Sequence, residues 1–372
     1  MTNPALPRWA DVTLVPLASI AAALVISGLV LTAIGENPFE ALRTLIIGSL
    51  GSPEGIAFTL YYATNFIFTG LAVALAYRAG LFNIGAEGQA YVAGLGATLV
   101  CLSWPNLPAY VLVPGAIVSA MAFGALWAII PGWLQARRGS HIVITTIMFN
   151  WLATSLMSWL LVNVLRAPGS MQPETRAFSP AAAIPRLDFL FGWFGADVRN
   201  APLNATLIFA VLAAMILWVL IWRTRFGYEL RAFGASPTAA AYAGVNATYI
   251  VIATMGLSGM LAAGLAVNEV MGVEKRLLLD FTSGYGFVGI AVALMGRAHP
   301  AGVVLAALLF GVLYQGGAEL AFDHPKISRD MIVVIQGLVV LFAGALDGLF
   351  RAPVAALLQI LMPVRRAIGK GA

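Results

Sequence analysis

The sequence predicts an all-α, polytopic membrane protein with about ten transmembrane helices, some of them broken by glycine near a solute pathway. Three observations carry that expectation. Hydrophobic residues make up 60% of the 372 positions and charged residues only 10%, against about 25% charged in an ordinary soluble domain. Apolar runs long enough to cross a bilayer recur along the chain. Between two of them lies Arg78–Gly94, RAGLFNIGAEGQAYVAG, where Gly80, Gly85, Gly88 and Gly94 surround an acid, Glu87, and two amides, Asn83 and Gln89. Irregular backbone and an ionisable group are tolerated at membrane depth only where protein shields them or water reaches them. A position on a solute pathway is therefore the favoured reading. A glycine-smoothed helix contact, with the acid bonded to a neighbouring helix, is the structural alternative.

A span needs about 20 apolar residues. Applied along the chain, this rule places spans near 13–35, 57–77, 84–101, 110–133, 142–165, 202–222, 246–272, 284–297, 300–322 and 331–350. The first run is too long for a cleavable signal, and only Arg8 precedes it among basic residues. The mixed segment 35–56 has room for a short interfacial helix. The third span opens with the glycine-rich stretch, and the eighth, GYGFVGIAVALMG, is short and glycine-broken. No soluble domain fits between the runs, so residues 1–372 read as a single transmembrane domain. A local similarity links GLAVALAYRA (70–79) to GIAVALMGRA (289–298); in a chain this rich in alanine, valine and leucine, chance alone can produce it.

Two connections stand out. The segment of about 166–201 is proline-rich (Pro168, Pro173, Pro180, Pro185) and contains apolar FLFGWF. It reads equally as a platform for an external protein and as a surface-lying re-entrant hairpin. The segment of about 223–246, RTRFGYELRAFGASPTAAAYAGVN, has helix-forming residues, a break at Gly234, and then Ser236-Pro237. A hydroxyl cap followed by proline at the first helical position is a strong helix start. The short small-residue helix that follows would lie across the cytoplasmic face and let another protein pack closely; a plain connecting loop is the alternative. Putting the N-terminus inside leaves the inner segments clearly basic, while acids balance the basic residues of the outer loops. Both termini then fall in the cytoplasm, in agreement with Arg365, Arg366 and Lys370.

Missing motifs narrow the function. There is no G-x-x-x-x-G-K-[ST] and no H-E-x-x-H. His141, His299 and His324 all sit at expected loop edges, which argues against a serine–histidine pair or a zinc centre. Asp347 has no second aspartate with which to form a protease dyad. Cys101 is the only cysteine, so the chain has no internal disulfide and no thiolate metal site. The net charge of +5 is scattered over helix ends and not clustered as in a nucleic-acid interface. An enzyme is therefore not expected, and neither catalytic residues nor a metal site are assigned.

The polar residues within spans carry the site expectation. Asn83, Glu87 and Gln89 are the first candidates for the solute pathway, with Asn65, Asn150 and Asn268 behind them. Phe82, Tyr91, Phe149, Trp151, Tyr285 and Phe287 accompany them. Amides with aromatics suit a neutral, hydrogen-bonding ring solute, although a single amide in a span more often bonds another helix. Two glycine-interrupted segments in separate halves, 80–96 and 284–296, point to the binding region.

GLFNIGAEGQ (80–89), supported by TTIMFN (145–150), FGYELRAFGASPTAAAYAG (226–244) and GYGFVGIAVALMGRAHP (284–300), resembles the permease subunits of bacterial ABC importers of the ribose/simple-sugar and branched-chain amino acid superfamily. Within that group the chain looks most like nucleoside-type permeases that work with a basic-membrane-protein-type binding lipoprotein. The resemblance covers about 55–350. It implies a multi-pass subunit of the bacterial cytoplasmic membrane, bathed in lipid, paired with a homologous or identical second permease. It also implies ABC ATPase subunits inside and an extracytoplasmic solute-binding protein outside. No cofactor belongs to this chain, because ATP would be used by the partner subunit; no nucleic-acid partner is implied. The resemblance places ATPase coupling on 226–244, hence on Gly227, Glu229, Arg231, Gly234, Ser236, Ala240 and Gly244. The function that follows is import of a nucleoside or simple-sugar-like solute by alternating access. The alternatives are a standalone proton-coupled carrier with Glu87 and Glu269 in a relay, and a non-transporting scaffold or receptor.

Overall fold

The computed structural model describes residues 7–192, 198, 200–324, 327, 329–342, 351 and 353–355. Among them the chain is built of helices: α1 (Arg8–Ile34), α2 (Pro38–Leu50), α3 (Pro53–Arg78), α4 (Ala86–Ser103), α5 (Ala109–Arg138), α6 (Ile142–Asn163), α7 (Asp188–Gly192), α8 (Thr206–Arg223), α9 (Arg225–Ala235), α10 (Pro237–Tyr242), α11 (Ala247–Ala266), α12 (Tyr285–Met295), α13 (Pro300–Asp323) and α14 (Arg329–Val340). The ends follow local chemistry. Ser52, Thr224, Ser236 and Asn246 cap α3, α9, α10 and α11 by accepting a backbone N–H three residues on. Proline occupies the first turn of α3 and α10. α1 and α5 stop at Gly35 and Gly139, both left-handed.

Seven helices among the described residues are long and apolar enough to cross a membrane: Leu17–Ile34, Pro53–Arg78, Ala109–Arg138, Ile142–Asn163, Thr206–Arg223, Ala247–Glu274 and Pro300–Asp323. This is fewer than the expected ten, for three separate reasons. α4 has 18 residues but begins with Glu87, Gly88 and Gln89, which lower its hydropathy. α12 has 11 residues and, at about 1.5 Å per residue, is only about 16 Å long against a hydrocarbon core of about 30 Å. The span expected at 331–350 is described only in its first part, and Asp347, Arg365, Arg366 and Lys370 lie outside the described residues. The mixed segment after α1 does hold a short helix, α2. In the 223–246 segment the helical break falls at Ser236; Gly234 lies within the last turn of α9.

The chain divides into two compact units, Met1–Thr44 with Gly317–Ala372, and Leu45–Gly316. In the first, α1 packs on α14, and Leu31, Ala41, Leu320, Ile327, Ile332 and Ile335 form a small apolar core. Glu36 and His324 pair across it at 3.1 Å. The second unit holds α3 to α12, with the end of α2 and most of α13, around a core shared by α4, α5, α6 and α11. α5 and α11 approach through Gly124 and Gly259, where a Cβ on either glycine would collide with the backbone of the other. α11 does not end at Ala266. Its last turns widen into a π-helix, Val267–Glu274, which carries Asn268 and Glu269 inward. In the 166–201 segment, Glu174 pairs with Leu278 and Arg186 with Asn204 through isolated bridges, and Arg276 binds Glu174 at 3.1 Å. The similar segments 70–79 and 289–298 lie side by side: Gly70 packs on Val292, and Gly289 on Thr69.

Candidate functional site

α3 ends at Arg78, and the chain turns through Gly80, whose φ of +73° is left-handed. It then runs through Leu81–Ile84 without helix until α4 starts at Ala86. The break is held by side chains. Asn83 is fully buried; its Oδ1 accepts from the Gly85 N–H (2.8 Å) and from Gln89 Nε2 (3.1 Å). Its Nδ2 donates to Gln89 Oε1 (3.0 Å) and to Ser258 Oγ of α11 (2.8 Å). α6 serves the rest of the broken backbone. Asn150 Oδ1 accepts from the Gly88 N–H (2.9 Å), Asn150 Nδ2 donates to the Ile84 carbonyl (3.0 Å), and Thr146 Oγ1 accepts from the Ile84 N–H (3.4 Å). The motifs at 80–89 and 145–150 therefore meet at one place. Buried backbone groups that a helix would pair internally find amide and hydroxyl partners there.

Glu87 connects this break to the second one. Its Oε2 accepts from the Gly286 N–H (2.7 Å) and its Oε1 from the Gly284 N–H (3.0 Å). The first turn of α12, which has no internal partners for its N–H groups, is thus capped by an acid from α4. Gly286 is required here, because a Cβ would collide with the Glu87 backbone. The two glycine-interrupted segments consequently come together at their helix N-termini. α12 runs beside α3, with Tyr285 5.6 Å from Phe66. Phe66 lies 12 positions before Arg78, about 18 Å along the helix, so the junction sits well inside a span.

A second buried polar group joins α3 to the π-helix. Glu269 Oε1 accepts from Tyr61 Oη (2.6 Å) and from Asn65 Nδ2. Asn65 Oδ1 accepts from Asn268 Nδ2 (2.8 Å), and Asn268 Oδ1 from Asn204 Nδ2 (2.8 Å) at the entry to α8. Asn65 and Asn268 are thus brought together, apart from the Asn83–Gln89–Asn150 group. Tyr61, Ser258 and Asn204 complete these networks without having been singled out by sequence; nothing local distinguishes them from other polar residues in spans.

Arg78 joins four elements. Its Nε and Nη2 donate to the carbonyls of Ala298 (2.8 Å) and Arg297 (3.1 Å), just past the end of α12. Its guanidinium lies 5.4 Å from the Trp222 ring centroid of α8. Its carbonyl faces Gly234 of α9 so closely that any Cβ there would collide with it. The His299 ring lies 4.9 Å from that of Trp222, tilted at 51°; burial, and then the Arg78 charge, push its imidazole below the ordinary range.

The other residues of the 226–244 segment shape α9 and α10. Gly227 donates to the Thr224 cap (3.1 Å) and fits against the last carbonyls of α8, where a Cβ would collide. Glu229 pairs with Arg225 (2.8 Å), and Arg231 Nε reaches the Gly227 carbonyl (3.3 Å). Ser236 caps α10 by accepting from the Ala239 N–H (3.3 Å), Ala240 is its one buried residue, and left-handed Gly244 follows its end. Tyr242 is 90% exposed, so α10 presents nearly its whole surface outward.

A multi-pass helical protein with two interrupted helices meeting at membrane depth, and a helix seated on the same break that leads into an exposed one, belongs to the class of membrane transport subunits. The family model described as branched-chain amino acid transport system / permease component matches residues 55–344. The chain belongs to that family. It is 35% identical to a glucose ABC transporter permease protein of Haloferax volcanii, over 88% of this chain and 86% of that one. It is 34% identical to a guanosine ABC transporter permease protein of Bacillus subtilis, over 89% and 93%. It is 31% identical to a nucleoside ABC transporter permease protein of Lactococcus lactis subsp. cremoris, over 95% and 94%.

Proposed function

We propose that this chain is a pore-forming subunit of an ABC importer that moves a nucleoside or simple-sugar-like solute across the cytoplasmic membrane by alternating access. Its relatives are ABC permease subunits named for guanosine, nucleosides and glucose. ATP hydrolysis belongs to separate ATPase subunits docked on α9 and α10, which face the cytoplasm with both termini. A second permease, homologous or identical, completes the pore, and an extracytoplasmic solute-binding protein delivers the solute. Asn83, Glu87, Gln89, Asn65, Asn150 and Asn268 shape the pathway by fixing the interrupted helices; in this conformation their hydrogen bonds are made within the protein.

The observation that carries the reading is the seat of Gly234 on the Arg78 carbonyl. A displacement of α9 and α10 meets Arg78 without an intervening side chain. Arg78 holds the carbonyls past the end of α12, and the other end of α12 is held by Glu87. Movement at the ATPase face thus has a mechanical route to the helix junction. Coupling further requires that solute bind the two arrangements with different affinity.

The test is purification of the tagged chain from its native membrane in mild detergent, with partners identified by mass spectrometry. An ABC-type ATPase is expected, and its loss when 226–244 is altered. Gly234→Pro is expected to insert normally yet to abolish ATP-driven uptake. Wild-type uptake in that variant would remove the coupling route. A chain that purifies alone, with uptake that follows a proton gradient without ATP, would replace this reading by a proton-coupled carrier.

A further inference from the structure

The segment between the π-helix and α12, 275–284, is irregular, and Lys275, Asp280, Ser283 and Gly284 all have positive φ. It leaves the end of the π-helix, where Lys275–Leu278 pair with the 166–201 segment, and runs along α4 to the start of α12. The Asp280 N–H donates to Tyr91 Oη at 2.7 Å. Tyr91 is one turn past Glu87 and 12 positions short of Ser103, so Asp280 lies about 18 Å below the end of α4. Both Asp280 and Ser283 are exposed at that depth. Hydrocarbon does not tolerate an exposed carboxylate on irregular backbone, whereas a water-filled cavity does.

Two hydrogen-bonded turns, Ser283 N–H to the Asp280 carbonyl (3.1 Å) and Tyr285 N–H to the Thr282 carbonyl (2.8 Å), fold this segment directly onto the start of α12. There Tyr285 meets Tyr62 of α3 and Tyr314 of α13. The three ring centroids are 6.2 Å (Tyr62–Tyr285), 5.9 Å (Tyr285–Tyr314) and 5.7 Å (Tyr62–Tyr314) apart. Phe66 and Phe310 back them and are fully buried, whereas all three tyrosines are half-buried. Three adjoining, partly open aromatic rings, with an exposed carboxylate five positions before Tyr285 on the same folded segment, form a recognisable chemistry. Tyrosine faces stack planar bases and the C–H faces of sugars. A carboxylate accepts strong hydrogen bonds from hydroxyl groups.

We propose that Asp280, Tyr62, Tyr285 and Tyr314 form a solute-recognition site at the floor of a water-filled vestibule, selecting a neutral ring solute that carries hydroxyl groups. This rests on the permease reading and deepens it: the site supplies the differential contact with solute that alternating access needs. Nucleosides and sugars share the chemistry, with the base stacked in one case and the sugar ring in the other.

The sole native cysteine, Cys101, is buried, which permits a direct test on the full chain in cells. In a Cys101→Ser background, Ser283→Cys is treated with a membrane-impermeant, charged methanethiosulfonate, with guanosine or glucose present or absent. Met171→Cys, at a position 97% exposed, controls for surface labelling, and inside-out vesicles report access from the other side. Labelling of Ser283→Cys is expected, slowed at least about fivefold by one of the two solutes and restored when Tyr285→Leu is added. Tyr285→Phe should keep the protection. Labelling that neither solute slows, in a variant that still takes up solute, overturns the recognition site. Absence of labelling from both sides, with Met171→Cys labelled and uptake intact, overturns the vestibule and points to a protein partner covering Asp280. If no ATP-dependent uptake of either solute occurs even in the Cys101→Ser parent, the permease reading for these solutes fails first. The labelling pattern then still reports whether water reaches residue 283.

Discussion

Replacing Glu87 tests the junction on which the site is built. Its two oxygens accept from Gly286 and Gly284 at 2.7 and 3.0 Å. Hydrogen bonds to a charged group contribute about 1.5–3 kcal/mol each, and a carboxylate at a helix N-terminus up to about 2 kcal/mol more. Glu87→Gln keeps one acceptor oxygen and exchanges the other for a donor that faces an N–H, so one bond and the charge term are lost, about 2–4 kcal/mol. Glu87→Ala leaves both N–H groups without a partner and costs about 3–6 kcal/mol. Buried Cys101 gives the assay, since a thiol-reactive fluorogenic dye reports unfolding of the purified protein without any added label. At about 2 °C per kcal/mol, the low end that suits a large chain, the midpoint should fall by about 4–8 °C for Gln and about 6–12 °C for Ala. Gly286→Ala disturbs the same contact, so its effect should be strongly non-additive with Glu87→Ala. A Gln variant within about 1 °C of wild type, or simple additivity with Gly286→Ala, would refute the cap as a structural link between α4 and α12.

Asn150→Leu removes the acceptor of the Gly88 N–H and the donor to the Ile84 carbonyl, and should cost about 2–5 kcal/mol in the same assay. Stability should also depend on His299. Its folded-state imidazole is held below the ordinary range by burial and by Arg78, so as pH falls through about 6.5 the unfolded chain takes up the proton first and the folded state loses stability. A series of unfolding midpoints from pH 8 to pH 5 should show this fall, and His299→Gln should flatten it; an unchanged slope would assign the pH dependence elsewhere.

The sequence reveals the break at 80–89 because glycines and an acid between apolar runs have few places to go in a bilayer. It reveals α10 because Ser236-Pro237 is a complete helix-start signal in two residues. The number of spans is less legible. α12 has the composition of a span but half the needed length, and α4 has nearly the length but polar first turns. Only the three-dimensional junction shows that the two helices start at one place, with Glu87 of α4 capping α12. The π-helical turn at Val267–Glu274 has no signature in a 3.6-residue pattern, yet it brings Asn268 and Glu269 onto α3. Glu87 illustrates the general limit. Its residue type and depth can be read locally, but its partners lie nearly two hundred positions away, in backbone N–H groups that no side-chain motif marks.

The same geometry explains why Arg78 carries more than its share. α12 is a rigid rod of about 16 Å held at one end by Arg78 and at the other by Glu87. Between those ends it packs along α3, with Gly289 seated on Thr69 and Val292 on Gly70, so α12 and α3 form one body. The contacts at the Arg78 end are two hydrogen bonds to carbonyls of residues with left-handed backbone, Arg297 and Ala298. That conformation is costly for non-glycine residues, by about 1–3 kcal/mol each, and it is held jointly by the guanidinium on the two carbonyls and by the Arg297 and Ala298 N–H groups, which donate to the Leu294 (2.9 Å) and Ala293 (2.8 Å) carbonyls of α12.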